Sequence, residues 1–236
     1  MNMEKKFELT DNFIINAFGV KLFQIKCTKS FKYAKEGDLG GYVEKDENLD
    51  QESDAWVYGN AWVYGNARVY GNAEVYGNAR VYGNAEVYGN AWVYGDARVY
   101  GDARVSDNAW VSDNARVSGN ARVSDNARVS GDARVSGDAR VSGDAWVSGD
   151  AWVSGDADIE NDNEHCGFDG FGSCNRHTHA YMTKEKKVEI ICGCFRGSIE
   201  EFEKKVEETH SGTVYEKQYK SIINVIKIKF GLTDFT

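Results

Sequence analysis

The sequence predicts a mainly β protein, a parallel β-solenoid with a small module at each end. Three observations predict it. First, from Ala55 to Asp156 one six-residue phrase, Ala-x-Val-(Tyr/Ser)-(Gly/Asp)-(Asn/Asp), is repeated seventeen times without an insertion or deletion. A fixed short period of this kind dictates architecture ahead of any local signal. Second, small or apolar residues alternate with variable ones inside each phrase, the period-two pattern of a strand, so Ala and Val share one face and x and Tyr/Ser the other. Third, the fifth position is Gly in fourteen phrases and Asp in three (Asp107, Asp113 and Asp125). Gly, and less readily Asp, accepts a positive φ, so the chain turns a corner there. The Asn or Asp that follows can bond its own backbone and hold the corner.

With Val at the key position and a small residue two places before it, these phrases resemble the hexapeptide repeat of left-handed parallel β-helices, as in hexapeptide acyltransferases. The resemblance implies three phrases per triangular coil, hence about six coils over residues 55–159. At a strand spacing of about 4.8 Å the prism is roughly 25–30 Å long. Taking every third phrase sets the outward columns. One face carries Trp56, Glu74, Trp92, Trp110, Arg128 and Trp146. The second carries Trp62, Arg80, Arg98, Arg116, Arg134 and Trp152, and the third Arg68, Glu86, Arg104, Arg122, Arg140 and Asp158. The other outward position is Tyr from Tyr58 to Tyr100 and Ser from Ser106 to Ser154.

Residues 1–54 read as a small cap, because an open solenoid end exposes strand edges and needs an atypical terminal unit. Phe13-Ile14-Ile15 and Val20 to Ile25 look like short strands around the turn Asn16-Ala17-Phe18-Gly19. After Asp156 the pattern decays through Ala157-Asp158-Ile159 into a polar linker, and residues 160–236 read as a small α+β domain of order ββαα. Its strands are Arg176–Met182 and Lys187–Phe195. Ser198-Ile199-Glu200-Glu201 is a capping box that opens a helix to about Thr209, and Val214 to about Lys229 forms a second helix.

The ends resemble proteins of phages and prophages. The matching residues are Phe18-Gly19-Val20-Lys21-Leu22 and Gly37 to Glu44. At the other end they are Cys192-Gly193-Cys194-Phe195-Arg196-Gly197-Ser198, Glu200-Glu201-Phe202 and Glu208-Thr209-His210. This resemblance implies a mobile-element origin and no settled activity.

Composition bounds the chemistry. The net charge of −9 is spread evenly, −3 in each of residues 1–54, 55–156 and 157–236. An evenly acidic chain argues against general nucleic-acid binding, which depends on phosphate neutralisation. No stretch of eighteen apolar residues is present, so no membrane span is expected. Met1 to Phe7 lacks an apolar signal core. Five scattered cysteines (Cys27, Cys166, Cys174, Cys192 and Cys194) point to reduced thiols and a cytoplasmic location, which the phage resemblance implies is that of a bacterial host cell.

Acyl transfer is the enzymatic reading of the repeat, but it needs a base beside the acceptor. Residues 55–156 contain no His and no loop that would shape a pocket; the histidines are His165, His177, His179 and His210. Zinc is a second reading, from Cys174, His177, His179, Cys192 and Cys194, which are suitable ligand types at poor spacing. Ordinary strand residues and buried thiols account for them better, and no cofactor is expected. The preferred expectation is a non-enzymatic binding protein. Trp62, Arg80, Arg98, Arg116, Arg134 and Trp152 would engage a host protein or a small anionic ligand, inhibiting bacterial anti-phage defence. Trp56, Trp92, Trp110, Tyr58, Tyr76 and Tyr94 would form contacts in a homo-oligomer, a trimer or dimer. A virion scaffold or spacer is the alternative.

Overall fold

The computed structural model describes residues 5–232; the first and last four residues lie outside it. Eighteen two-residue strands, β4 (Trp56–Val57) to β21 (Asp158–Ile159), stack in three parallel sheets. Each pairs with the strand three phrases on, so Trp92 sits over Glu74 and under Trp110, and Arg98 over Arg80 and under Arg116. The outward columns are therefore those that eighteen residues per coil require. Trp56 N–H donates to Ala73 O (3.0 Å) and Tyr58 N–H to Val75 O (2.8 Å), and the same two bonds recur from coil to coil. Inside, every repeat valine is fully buried against the repeat alanines. The interior is narrow, and small-plus-branched residues fill it.

The corners turn as the residue types demand. Asp107, Asp113 and Asp125 hold φ of 59°, 57° and 57°, the left-handed conformation that Gly supplies elsewhere. Two of these aspartates repay the strain locally: Asp113 accepts the N–H of Gly131 (3.1 Å) and Asp125 that of Gly143 (3.2 Å), one coil on. Stacking adds a second reason for Gly. A Cβ at Gly89 would lie 2.6 Å from the Asp107 nitrogen. Along one corner Asn72, Asn90, Asn108 and Asn126 each donate their amide to the next residue of the column, ending on Asp144.

The solenoid is longer than the repeat. β1 (Phe7–Ile15) and β2 (Lys21–Cys27) form an antiparallel hairpin, and β3 (Leu39–Val43) pairs with β2 on one side. On its other side β3 runs parallel to Trp62–Val63, and Leu49 bridges to Val69, so there are about seven turns rather than six. This extra turn lacks the phrase. Gly41 stands where the small interior residue belongs, and a Cβ there would lie 2.7 Å from Ala61 O. Asn48 is buried and donates its amide to Gly65 O (3.1 Å) and Ala67 O (2.8 Å). Lys6 closes the open end, its ammonium donating to Ser53 O (2.7 Å) and Ala55 O (2.8 Å).

One oligomer expectation fails here. Trp56 is 1% exposed, with Phe7 edge-on at 6.3 Å and Phe31 at 5.4 Å, so it is core rather than contact surface. It heads its column, and the N-terminal hairpin and loop cover the indole that another coil would otherwise cover. Trp56→Ala is expected to cost about 3–5 kcal/mol, read as a lowered urea midpoint. A cost below about 1 kcal/mol would contradict that packing.

The C-terminal module has four strands, not two. β22 (His165–Phe171), β23 (Arg176–Met182), β24 (Val188–Cys192) and β25 (Phe195–Ser198) form an antiparallel sheet in that order. β22, interrupted by Gly167 and Gly170, carries no clear alternation, and the sequence reading assigns it no element. α1 (Ile199–His210) and α2 (Val214–Lys229) follow. The capping box at Ser198 forms, with Glu201 N–H on Ser198 Oγ (3.3 Å) and Ser198 N–H on Glu201 Oε2 (2.8 Å). Phe202, Val206, Tyr219, Ile222, Ile223 and Ile226 pack the helices onto the sheet.

Candidate functional site

The three faces differ in how their charges are met. On the third face Glu86 pairs with Arg104 at 3.4 Å. On the second face Arg80, Arg98, Arg116 and Arg134 follow one another in register with no carboxylate in the column. Arg80 lies over Trp62, 4.2 Å from guanidinium carbon to ring centroid. Among the described residues Arg98, Arg116 and Arg134 form no ion pair, and Arg116 and Arg134 are exposed. Like charges one rung apart repel by about 1 kcal/mol per pair even in water. Beside them Tyr64, Tyr82 and Tyr100 stack face to face at 5.0 Å, stiffening the N-terminal half. Burial raises the pKa of Tyr64 and Tyr82 above the ordinary tyrosine value.

The first face is aromatic but spends its ring faces internally. Trp92 and Trp110 stack at 5.0 Å, and Arg128 lies over Trp110 at 4.6 Å. Tyr76 and Tyr94 stack at 4.9 Å, and Tyr58 meets Tyr76 edge-on while its hydroxyl donates to Glu74 (2.8 Å). Burial and that carboxylate push the Tyr58 hydroxyl far above the usual tyrosine pKa. The column presents ring edges outward.

At the C-terminal end β23 crosses the last coil and takes up carbonyls that a further coil would have bonded. Tyr181 OH donates to Ser154 O (3.2 Å), and Lys184 N–H to Asp156 O (2.9 Å). His179 Nδ1 lies 3.1 Å from Trp152 O. A carbonyl only accepts, so Nδ1 carries the proton. His179 Nε2 then accepts from His165 Nδ1–H, also at 3.1 Å. His165 Nε2 is left buried without a hydrogen-bond partner, 3.7 Å from Asp162. Burial first, then neighbouring His165, pushes the His179 pKa down to about 3; burial also lowers that of His165.

Strand parity separates the candidate zinc ligands. Thr178, not a histidine, is paired with Cys192. Cys192 therefore faces the helices, taking a bond from Thr178 Oγ1 (3.2 Å), while His177 and His179 face the solenoid end. Cys174 and Cys194 are exposed. The grouping of these five as one metal site is thus corrected: alternate residues of a strand point to opposite sides of the sheet.

Where the arginine column meets the C-terminal sheet there is a cleft of about 300 Å³, lined by Asp132, Arg134, Asp150, Trp152, Arg176, His177, Ile191 and Gly193. Of the candidate residues it gathers Arg134 and Trp152, and leaves Trp62, Arg80, Arg98 and Arg116 along the open face. Arg176, Asp132 and Asp150 escape the sequence reading. Their only signals are the shift from Asn to Asp at the late corners and the position of Arg176 next to His177. Its His177 Nδ1 is 2.6 Å from Asp169 Oδ1.

Comparison with known families meets this geometry in the repeat. Residues 61–77, 73–89 and 97–113, and successive overlapping segments from 109 to 155, match the family described as YdcK Beta solenoid repeat. This is a repeat β-solenoid protein. The matched segments lie inside the stacked coils, so the same residues carry both the likeness and the sheets. No curated protein matches the chain. Among the described residues no helix is long and apolar enough to cross a membrane.

Proposed function

We propose that this solenoid is a non-catalytic binding protein whose arginine face engages an acidic surface of a host protein. The observation that carries the reading is the unpaired run Arg98, Arg116 and Arg134, held in register on a chain of net charge −9. A column of like charges without counter-charges costs free energy unless a partner supplies them. The register of Arg98, Arg116 and Arg134 along one sheet presents them as an extended row, which suits a macromolecule. The phage-like ends direct the search to bacterial hosts, where capture of a defence protein would inhibit it. Self-association would use the half-buried edges of Trp92, Trp110, Tyr58, Tyr76 and Tyr94. A rod-like spacer in a virion is the competing reading.

The test is capture from host lysate by tagged wild type and by the double variant Arg98→Glu, Arg116→Glu, with native mass spectrometry of both. The expected result is a stoichiometric partner on the wild type, weakened at least about tenfold (about 1.4 kcal/mol) by the charge reversal and by 0.5 M salt. Capture unchanged by the reversal would sink the reading, and copurification with mature particles would favour the spacer.

A further inference from the structure

We propose that the cleft between the last coil and the C-terminal sheet binds an organic cation, a guanidinium group carried by a small molecule. This goes beyond the partner reading of the arginine face and does not depend on it. The solenoid shows on its own surface what its outward indoles take as neighbours. Arg80 lies over Trp62 at 4.2 Å and Arg128 over Trp110 at 4.6 Å, while Trp110 itself stacks on Trp92. A guanidinium thus covers two of these rings and an indole the third. Trp152 stands on the last rung of its sheet, where no coil follows. Among the described residues no ring or cation lies over it, and it is 40% exposed. Trp146, on the last rung of the neighbouring sheet, also lacks a ring or cation, but its Nε1–H donates to Ser130 Oγ (3.2 Å) and it does not line the cleft.

The carboxylates of the cleft decide which kind of group completes the Trp152 column. Followed at eighteen-residue steps, each corner column ends in two aspartates. On two corners they have partners. Asp138 accepts from Asn120 (2.9 Å) and Asp144 from Asn126 (3.0 Å), Asp156 lies 3.7 Å from the Lys184 ammonium, and Asp162 accepts the Trp146 N–H (2.7 Å). On the third corner stand Asp132 and Asp150, which line the cleft one rung apart. Among the described residues neither carboxylate has a hydrogen bond or an ion pair. Asn60, Asn78 and Asn114 hold the same corner in earlier coils, so the turn does not require these charges.

Arg176 shares the strand face of Thr178 and Cys192 and points toward Cys174 and Cys194, so Arg134 is the one arginine of the cleft. Two carboxylates against one guanidinium leave a single negative charge, which a monocation balances. A metal ion is a poor candidate, since no three ligand groups for one come together among the described residues. A guanidinium answers both features: its plane lies on an indole face, and its N–H groups fork onto carboxylate oxygens. Ile191 adds an apolar wall for an alkyl stem. The volume of about 300 Å³ is at the small end of ligand pockets and fits a small molecule. The walls are fixed to each other by His179 on Trp152 O and Tyr181 on Ser154 O.

The experiment is titration of the full-length protein with n-butylguanidine to about 20 mM, followed by tryptophan fluorescence and calorimetry. n-Butylurea, planar but uncharged, and n-butylamine, charged but not planar, are titrated in parallel. The expected result is saturable binding of the guanidine at about 1 mM or below, at least about tenfold tighter than either analogue. Trp152→Leu and the double variant Asp132→Asn, Asp150→Asn are each expected to weaken it at least about tenfold. Arg98→Ala, on the open face, is expected to leave it unchanged, which separates this site from the partner reading. Circular dichroism melts check that the module remains docked. The double variant, which restores the residue of the earlier corners, serves if Trp152→Leu loosens it. Absence of saturation by n-butylguanidine overturns the proposal. So does equally tight binding of the urea or the amine, or an affinity that the double variant leaves intact.

Discussion

Val111→Asp is expected to unfold the solenoid from its middle. Val111 is fully buried, stacked between Val93 and Val129 in a column of valines. The interior offers no side-chain donor at that level, so the carboxylate would be buried without a partner or force the coil open. Stability in a solenoid comes from nearest-neighbour interfaces, and a central coil contributes to two of them. The expected loss is about 4 kcal/mol or more, at the extreme of single substitutions. It would be seen as a lost cooperative β transition in a circular dichroism melt, or as aggregation through opened edges. Arg122→Ala, on an exposed side chain of the third face, is expected to stay within about 0.5 kcal/mol of wild type. A Val111→Asp protein melting with the wild type would mean that the interior is wet.

Acidification is expected to loosen the C-terminal module from the last coil, through His179. The folded protein holds this imidazole neutral, with its pKa lowered to about 3 by burial and by His165, against an ordinary 6.5 in the unfolded chain. Between those values the unfolded chain binds the extra proton. The stabilisation is therefore complete above about pH 6.5 and is lost as pH falls toward 3. A proton on His179 Nε2 would confront His165 Nδ1–H and break the bond between the two histidines. His165 adds to the slope in the same direction, while His177 and Tyr181 flank the ring on its own strand. Melting temperature measured from pH 7.5 to 4.5 should fall in wild type and be flatter in His179→Phe, which starts lower for want of the bond to Trp152 O. Carboxylate protonation acts on both proteins and cancels in the comparison. Parallel slopes would show that His179 does not control the junction.

The solenoid was legible because its signal is redundant. Seventeen copies of one phrase set the strand faces, the corners and the columns at once, and each column stands where the eighteen-residue spacing puts it. The helices were legible for a related reason: a capping box at Ser198 and apolar spacing from Tyr219 to Ile226 are local signals. The seventh turn was not, because Gly41 replaces alanine, Leu49 replaces valine, and the spacing to the next coil grows from eighteen residues to twenty, as in Leu49 beside Val69. The candidate site was half legible. Arg134 and Trp152 stand out as members of a column, whereas Arg176 belongs to no pattern.

Sequence alone determined the architecture of residues 55–156, since a strict period leaves one way to bury every Ala and Val while bonding every coil to the next. It also determined which side chains share a face. Tertiary structure alone decided that Trp56 is core and Trp152 is surface, although both are the same residue in the same phrase. The repeat carries no record of which coil is terminal or what covers it; the hairpin that buries the first indole and the sheet that leaves a cleft beside the last are non-local packing. The same reason separates Cys192 from His179, because the pairing of Thr178 with Cys192 is set by the hairpin register and not by spacing along the chain.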